Sequence, residues 1–289
     1  MKNFAVVSYG YSASRWLAYS LSLHPKVFVS HGTYAIDSIY NGSDSIEREH
    51  EKSGERLDSL TRGRERLDIK TMAINKLYSL YQSSFPGMQA YGNVHTYVPR
   101  ELFYKEGGES LDIRVFHLVR NPIAFLKSHT TGVLQSHNVP ELNEHYENFY
   151  KLFLTRFPYI LKKAWFDKGN PNQRAFIISC YTLFNLAQDI RRYGSLMKTI
   201  RMEDITTNPI ALKSICEEIT DCEYDQNSLK QWVEKGKINQ HQTSHKQKIN
   251  LSKDEKVILQ SIIPEELYAY LYTLNYELPE LNHDHKKFD

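Results

Sequence analysis

FAVVSYGYSASRWLAYSLSLHP, Phe4 to Pro25, is the stretch whose reading decides the fold. Phe4 to Val7 is a short apolar run with two β-branched residues, the pattern of a buried strand. Ser8 to Ser14 holds small, hydroxyl and aromatic residues and a single Gly. From Arg15 the spacing turns helical, with Trp16, Leu17, Leu21 and Leu23 on one broad face, and Pro25 stops it. Strand, small-residue loop and helix therefore follow one another almost from the first residue. Such a loop can aim backbone N–H groups at one point, at the positive end of a helix dipole, and so hold an anion. It can equally be a plain turn whose Ser12 or Ser14 caps the helix. A Walker loop is excluded, because there is no G-K-[ST] and no Lys in the turn.

With 289 residues the chain has room for one large α/β domain or two small ones. Hydrophobic residues at 41% and charged residues at 24% mark a folded globular chain rather than a disordered or fibrous one. No apolar run reaches bilayer-spanning length, and no basic, apolar, small-residue pattern marks a signal peptide, so no membrane partner is expected. A formal net charge of +2 argues against nucleic-acid binding driven by bulk charge; positive charge for an anionic ligand must be local. Cys180, Cys216 and Cys222 form an odd, sparse set, expected to be reduced, buried thiols in a cytoplasmic protein rather than metal ligands.

Further along, Lys26 to Ser30 reads as a second strand, which sets His31-Gly32-Thr33 at its C-terminal end, the ligand-binding edge of open α/β sheets. Residues 41–66 are strongly charged and broken by glycines, a surface excursion suited to a lid. The spacing predicts a helix over Ile69–Tyr81, a short strand over Gln89–Val98 carrying His95, and a helix from Pro99 to Lys105. Ile113–Val119 (IRVFHLV) is the clearest strand, apolar as a strand buried on both faces should be. Helical segments follow from Ile123, within 138–165, and over Arg174–Tyr193, then a strand over Leu196–Met202. Helices are predicted from Asn208-Pro209 to about Ile219, over Gln226–Glu234, after Ser252 with Glu255 in the capping-box position, and from Pro264. Lys235 to Lys248 reads as loop, and the tail from Asn282 as frayed. Strands alternating with helices predict a central parallel sheet flanked by helices on both faces, in one domain spanning 1–289.

Three separated segments carry the chemistry. The first is the loop Ser8–Trp16. The second is LVRNPIAFLKS, Leu118 to Ser128, in which a strand delivers Arg120 to its edge and Ser128 follows on the next helix. An Arg fork and a hydroxyl brought together suit a phosphate, although an Arg closing a strand end has the same sequence. The third is Glu234-Lys235-Gly236, a cation beside a Gly where backbone can approach an anion, or simply a helix C-terminus.

These segments resemble the sulfotransferases that use 3′-phosphoadenosine 5′-phosphosulfate (PAPS). That family's K-S-G-T-T-W after a strand is matched by Tyr11-Ser12-Ala13-Ser14-Arg15-Trp16. Its R-N-P-x-D-x-x-x-S is matched by Arg120 to Ser128, with the Arg-to-Ser spacing kept. A Y-E-D strand end with a Pro beyond it resembles Met202-Glu203-Asp204 and Pro209, and a late R-K-G resembles Glu234-Lys235-Gly236. K-T-H-L-P, whose His is the base in the cytosolic branch, resembles Asn93-Val94-His95-Thr96-Tyr97-Val98-Pro99 with one extra residue before the Pro. The matches come in the family's order and span nearly the whole chain.

The resemblance implies a phosphate-loop-like α/β fold and transfer of a sulfuryl group from PAPS to a small-molecule acceptor, leaving adenosine 3′,5′-bisphosphate (PAP). It implies that Tyr11, Ser12, Ala13, Ser14 and Arg15 cradle the 5′-phosphosulfate and that Trp16 stacks on adenine. Met202 would pack on the same base, and Arg120 and Ser128 would hold the 3′-phosphate with help from Lys235 and Gly236. No metal and no nucleic acid are implied, and the chain is expected to act as a monomer or a homodimer. The departures are specific. Tyr11 stands where the family's loop cation is expected, Ala13 replaces a Gly, Met202 a Tyr, and Glu234 the first basic residue of R-K-G. Arg15 is the cation left in the loop to substitute. His95 is the expected base by motif, and His31 its rival, because other branches place a catalytic carboxylate just after the second strand. His117 is expected in the core, and His241 and His245 on a solvated face. The competing readings are a non-catalytic PAP-binding protein and a divergent phosphate-loop transferase. A microbial specialised metabolite is the expected acceptor.

Overall fold

The apolar run Phe4–Val7 lies in the middle of a six-stranded sheet, in the computed structural model that describes residues 2–32, 34–36, 74–95, 102, 112–138, 140–234, 250–264, 271, 274 and 276. Along the chain the described elements are β1 (Lys2–Val7), α1 (Ser14–Ser22), β2 (Val27–His31), β3 (Tyr34–Ile36), α2 (Ile74–Ser84), β4 (Ala90–Val94), β5 (Ile113–Val119), α3 (Pro122–Gln135), α4 (Pro140–Arg156), α5 (Pro171–Tyr193), β6 (Lys198–Arg201), α6 (Met202–Thr207), α7 (Pro209–Thr220), α8 (Gln226–Glu234) and α9 (Lys253–Ile262). They gather into two compact units, 1–119 with 193–240 and 120–192 with 241–289.

The first unit holds the sheet, in the order β3-β2-β4-β1-β5-β6. β1 pairs in parallel with β4 on one side and β5 on the other, so the loop after β1 leaves at the point where strand order reverses. Alternation along β1 sends Phe4 and Val6 to one face and Ala5 and Val7 to the other. The first face packs on α1, α7 and α8 through Trp16, Leu17, Leu212, Cys216 and Trp232. The second packs on α2 through Ile74, Leu77, Tyr78 and Tyr81. The expected parallel sheet flanked on both faces is therefore the observed fold of this unit. Gly92 of β4 lies opposite Phe4; a Cβ there would sit 1.9 Å from the Phe4 ring, so only Gly fits. At the far edge, Arg114 binds the Ile219 carbonyl at 2.9 Å and the Asp221 carboxylate at 2.9 Å, closing the C-terminus of α7.

The second unit is helical among its described residues. Its core includes Phe125, Leu126, Phe153, Phe157, Ile177 and Cys180. Lys127 pairs with Glu255 at 2.6 Å, and Glu255 also completes the capping box with Ser252. No helix among the described residues is long and apolar enough to cross a membrane. All three cysteines are buried and free, and burial raises the Cys180, Cys216 and Cys222 thiols above their ordinary range.

Two details depart from the sequence reading. β3 pairs antiparallel with β2, a short edge strand that the pattern does not announce. The strand expected over Leu196–Met202 is β6, Lys198–Arg201, and Met202 instead begins α6. The excursion at 41–66, the helix at 99–105 save Leu102, the 235–248 loop with Lys235 and Gly236, His241, His245 and the tail from 282 lie outside the described residues.

Candidate active site

The loop between β1 and α1 is built from unusual backbone. Gly10, Tyr11 and Ala13 all adopt positive φ, at 83°, 51° and 59°. Gly accepts that conformation freely, whereas Tyr and Ala are strained in it, and strain of this kind concentrates at functional sites. Turning the chain through left-handed residues points successive N–H groups to one side, forming an anion-binding nest. Side chains brace the turn from within. The Ser8 hydroxyl accepts from the Gly10 N–H at 3.3 Å, and the Ser12 hydroxyl donates to the Gly10 carbonyl at 3.0 Å.

The helix beyond the loop starts open. Ala13 is the N-cap of α1 and offers no side-chain cap. By contrast Asn121 caps α3, Asn208 caps α7 and Ser252 caps α9, each accepting first-turn N–H bonds. The first-turn N–H groups of α1 and its dipole therefore remain available for an anion. Local charge agrees. None of the chain's 34 acids falls in residues 1–36, 69–100 or 113–140, which include β1 to β5 and the loops after β1 and β2. Arg15, half-buried on the first turn of α1, has a buried Nε without a hydrogen-bond partner.

Two histidines meet beside this loop. His31 ends β2 and His95 directly follows β4; parallel pairing of those strands sets His31 opposite Val94 and so brings the rings together. The rings stack with centroids 5.4 Å apart and planes 16° from parallel. His31 Nε2 lies 3.1 Å from the Ser14 Oγ at the start of α1. His95 Nδ1 lies 2.9 Å from the Ser8 carbonyl oxygen. A carbonyl can only accept, so Nδ1 carries the hydrogen and Nε2 is the acceptor nitrogen of the neutral ring. His95 is held at φ 73°, its N–H bonded to the Val6 carbonyl at 3.0 Å.

Beneath the pair lies a buried polar cluster. The Asn93 amide donates to Ser30 Oγ at 2.7 Å, to the Tyr81 hydroxyl at 3.1 Å and to the Gly32 carbonyl at 3.3 Å, and Ser30 also bonds Tyr81. These groups satisfy one another and lock the ends of β2 and β4 on which the two histidines stand. Asn93 and Ser30 were not read as functional; their signal is polarity at 1% and 0% exposure inside strands.

Trp16 and Met202, the residues expected to meet adenine, are placed in the core instead. Trp16 is 2% exposed, its ring 6.2 Å from that of Trp232, and Met202 is 7% exposed in the same cluster. The helical face of α1 needs Trp16 as filling, so its ring has no open face for a base. Ser12, with its hydroxyl turned inward, can serve an anion through backbone only.

Arg120 and Ser128 belong to the second unit. Asn121 between them caps α3, its Oδ1 accepting from Ile123 and Ala124, each at 3.1 Å. Thr130, Thr131 and Ser136 on α3 donate back to their own helix. The half-buried Ser128 makes no such bond and keeps its hydroxyl for another acceptor. His117 is core, as expected; both ring nitrogens are buried without partners, and burial holds it at about 4. His129, bonded to Ser179 at 2.9 Å, is held at about 3 by burial and then by His145. Among the described residues no group of His, Cys, Asp and Glu could hold a metal ion.

This chain is similar to solved sulfotransferase domains. One is the sulfotransferase domain from the curacin biosynthetic pathway, 16% identical, with a TM-score of 0.48 over 96% of this chain and 98% of that one. Another is the sulfotransferase domain from the Synechococcus PCC 7002 olefin synthase, 16% identical, with a TM-score of 0.45 over 96% of this chain and 95% of that one. No family model matches the chain, and no curated protein matches it.

Proposed function

We propose that the protein is a PAPS-dependent sulfotransferase acting on a hydroxyl or amine of a small-molecule acceptor. One observation carries the reading: an uncapped helix N-terminus behind a nest of left-handed residues, with the acceptor nitrogen of His95 fixed beside it. In the reaction, His95 Nε2 takes the acceptor's proton as the acceptor oxygen or nitrogen attacks sulfur. The bond between sulfur and the bridging phosphate oxygen breaks, and PAP leaves with that electron pair. Sulfuryl transfer of this kind needs positioning and charge stabilisation more than covalent help, as phosphoryl transfer does.

The loop N–H groups of Tyr11 to Arg15 would hold the phosphosulfate, with Arg15 supplying charge. Arg120 and Ser128 keep the role of holding the 3′-phosphate, with Lys235 and Gly236. The protein is proposed to work in the cytoplasm, where its thiols stay reduced. Incubation with radiolabelled PAPS and a panel of phenols, alcohols and amines should yield a labelled sulfated product. PAPS failing to bind at all would end the proposal. Tyr11 in place of a loop cation favours the second reading, a PAP-binding protein without turnover; tight PAP binding with no transfer to any acceptor would select it.

A further inference from the structure

We infer that the stacked His31–His95 pair holds a single proton at working pH, and that this proton, resting on His31, supplies the positive charge that the loop lacks at Tyr11. The inference rests on the sulfotransferase reading and assigns the two rings different tasks. Four features of the pair lead there.

The rings lie nearly parallel at 5.4 Å between centroids. Two imidazolium charges at that separation repel, so the second proton binds more weakly than the first and the pair titrates in two steps. One proton on the pair is thus the favoured state between those steps. The tautomer of His95 is set by the Ser8 carbonyl, which makes its Nε2 a base only while that ring is neutral. His31 has no such constraint, because its Nε2 faces the Ser14 hydroxyl, which can donate or accept. The first proton therefore settles on His31 without disabling His95. Finally, Ser14 is the first residue of α1, so a charge on His31 stands beside the N–H groups that would receive the anion.

The surroundings leave that charge uncancelled within the described elements. From α1 the nearest charged group is Arg15, and from the β1–α1 loop the titratable groups are the phenols of Tyr9 and Tyr11. α2 contributes Tyr81, which bonds Ser30 and Asn93, and β3 places Tyr34 opposite His31 in register. No acid lies on β1, the loop, α1, β2, β3, α2 or β4. A proton on the pair adds to the attraction of this edge for an anion rather than neutralising a carboxylate.

The atoms balance through turnover. His31 keeps its proton and hydrogen-bonds the phosphate oxygen from which sulfur departs. His95 Nε2 gains the acceptor's proton. The pair then carries two protons, and mutual repulsion drives one into water when PAP leaves, restoring the starting state. The net reaction releases one proton for each sulfate transferred.

Two measurements on the full chain test this. In ring NMR of the free protein, His31 and His95 should titrate in two resolved steps, and His31→Gln should leave a single step at His95. PAP binding is then followed by calorimetry from pH 5.5 to 8.5 in buffers of different ionisation heat. The ratio of wild-type to His31→Gln affinity is the readout, because the ligand's own ionisation cancels in it. That ratio should rise about tenfold from the alkaline to the acidic end, with proton uptake seen in the wild type alone. His24→Gln, at the opposite end of β2, should behave as the wild type. A ratio flat with pH, or one titration step for two independent rings, overturns the pair while leaving PAP binding and the sulfotransferase reading intact. PAP failing to bind at any pH overturns both.

Discussion

Two helix starts in this protein solve the same problem in opposite ways. α3 closes its first turn with its own chain: Asn121 accepts from two N–H groups, and Pro122 needs no partner. α1 begins at a left-handed Ala13 that offers nothing, after a loop strained at Tyr11 as well. A helix that only has to be stable has no use for the second arrangement, because uncapped N–H groups and positive φ both cost free energy. The contrast teaches that the open start serves a ligand, and that stability is recovered in the core beneath it, where Trp16, Leu17 and Leu21 are 2% exposed or less.

Each unit also buries a histidine, and here the two regions should behave alike. His117 and His129 sit at about 4 and about 3, chiefly because burial disfavours the charged ring. The unfolded chain binds protons first, so stability is full above about pH 6.5 and falls as pH drops towards those values. Each ring should contribute a slope of about 1.4 kcal/mol per pH unit, and together they should remove about 5 kcal/mol by pH 4.5. Chemical denaturation across pH 4.5–7 checks this; His117→Leu should roughly halve the acid-dependent loss, and an unchanged slope would show that His117 is not buried neutral.

At the open start itself, His95→Ala should lower kcat by about 10²–10⁴-fold while PAP affinity stays within a few-fold, as expected for loss of a general base. Steady-state kinetics beside calorimetry separates the two; full turnover would shift the base to His31. Ala13→Asp should weaken PAP about 10- to 100-fold by filling the helix start with a like charge. Asn121→Ala at the closed start should instead cost about 1 kcal/mol of stability, read as a shift in denaturation midpoint. The smallest effect is expected of Ala13→Gly, which relieves the left-handed strain and should raise stability by about 0.5–1 kcal/mol. If Ala13→Gly destabilised the fold or Asn121→Ala did nothing, the contrast between the two starts would collapse.

What could be read in the sequence followed from local rules. Phe4–Val7, the Asn208-Pro209 helix start and the Ser252–Glu255 capping box depend on neighbours a few residues away, and the structure carries all of them. β3 could not be read, because a three-residue edge strand is held by backbone pairing rather than by a side-chain pattern. Trp16 was assigned to a base because nothing nearby shows that Trp232 packs against it. The stacking of His31 on His95 depends on the parallel register of β2 and β4, which sequence spacing does not reveal. The acid-free stretches were legible throughout, as a charge pattern rather than a motif.

The central claim is that the start of α1 receives the phosphosulfate end of the nucleotide. Backbone amide NMR during titration with PAP tests it most directly. The account predicts saturable shifts that are largest at the amides of Gly10 to Arg15 and are lost in Ala13→Asp. Shifts centred on the capped starts of α3 or α7, with the Gly10–Arg15 amides unmoved, would contradict it.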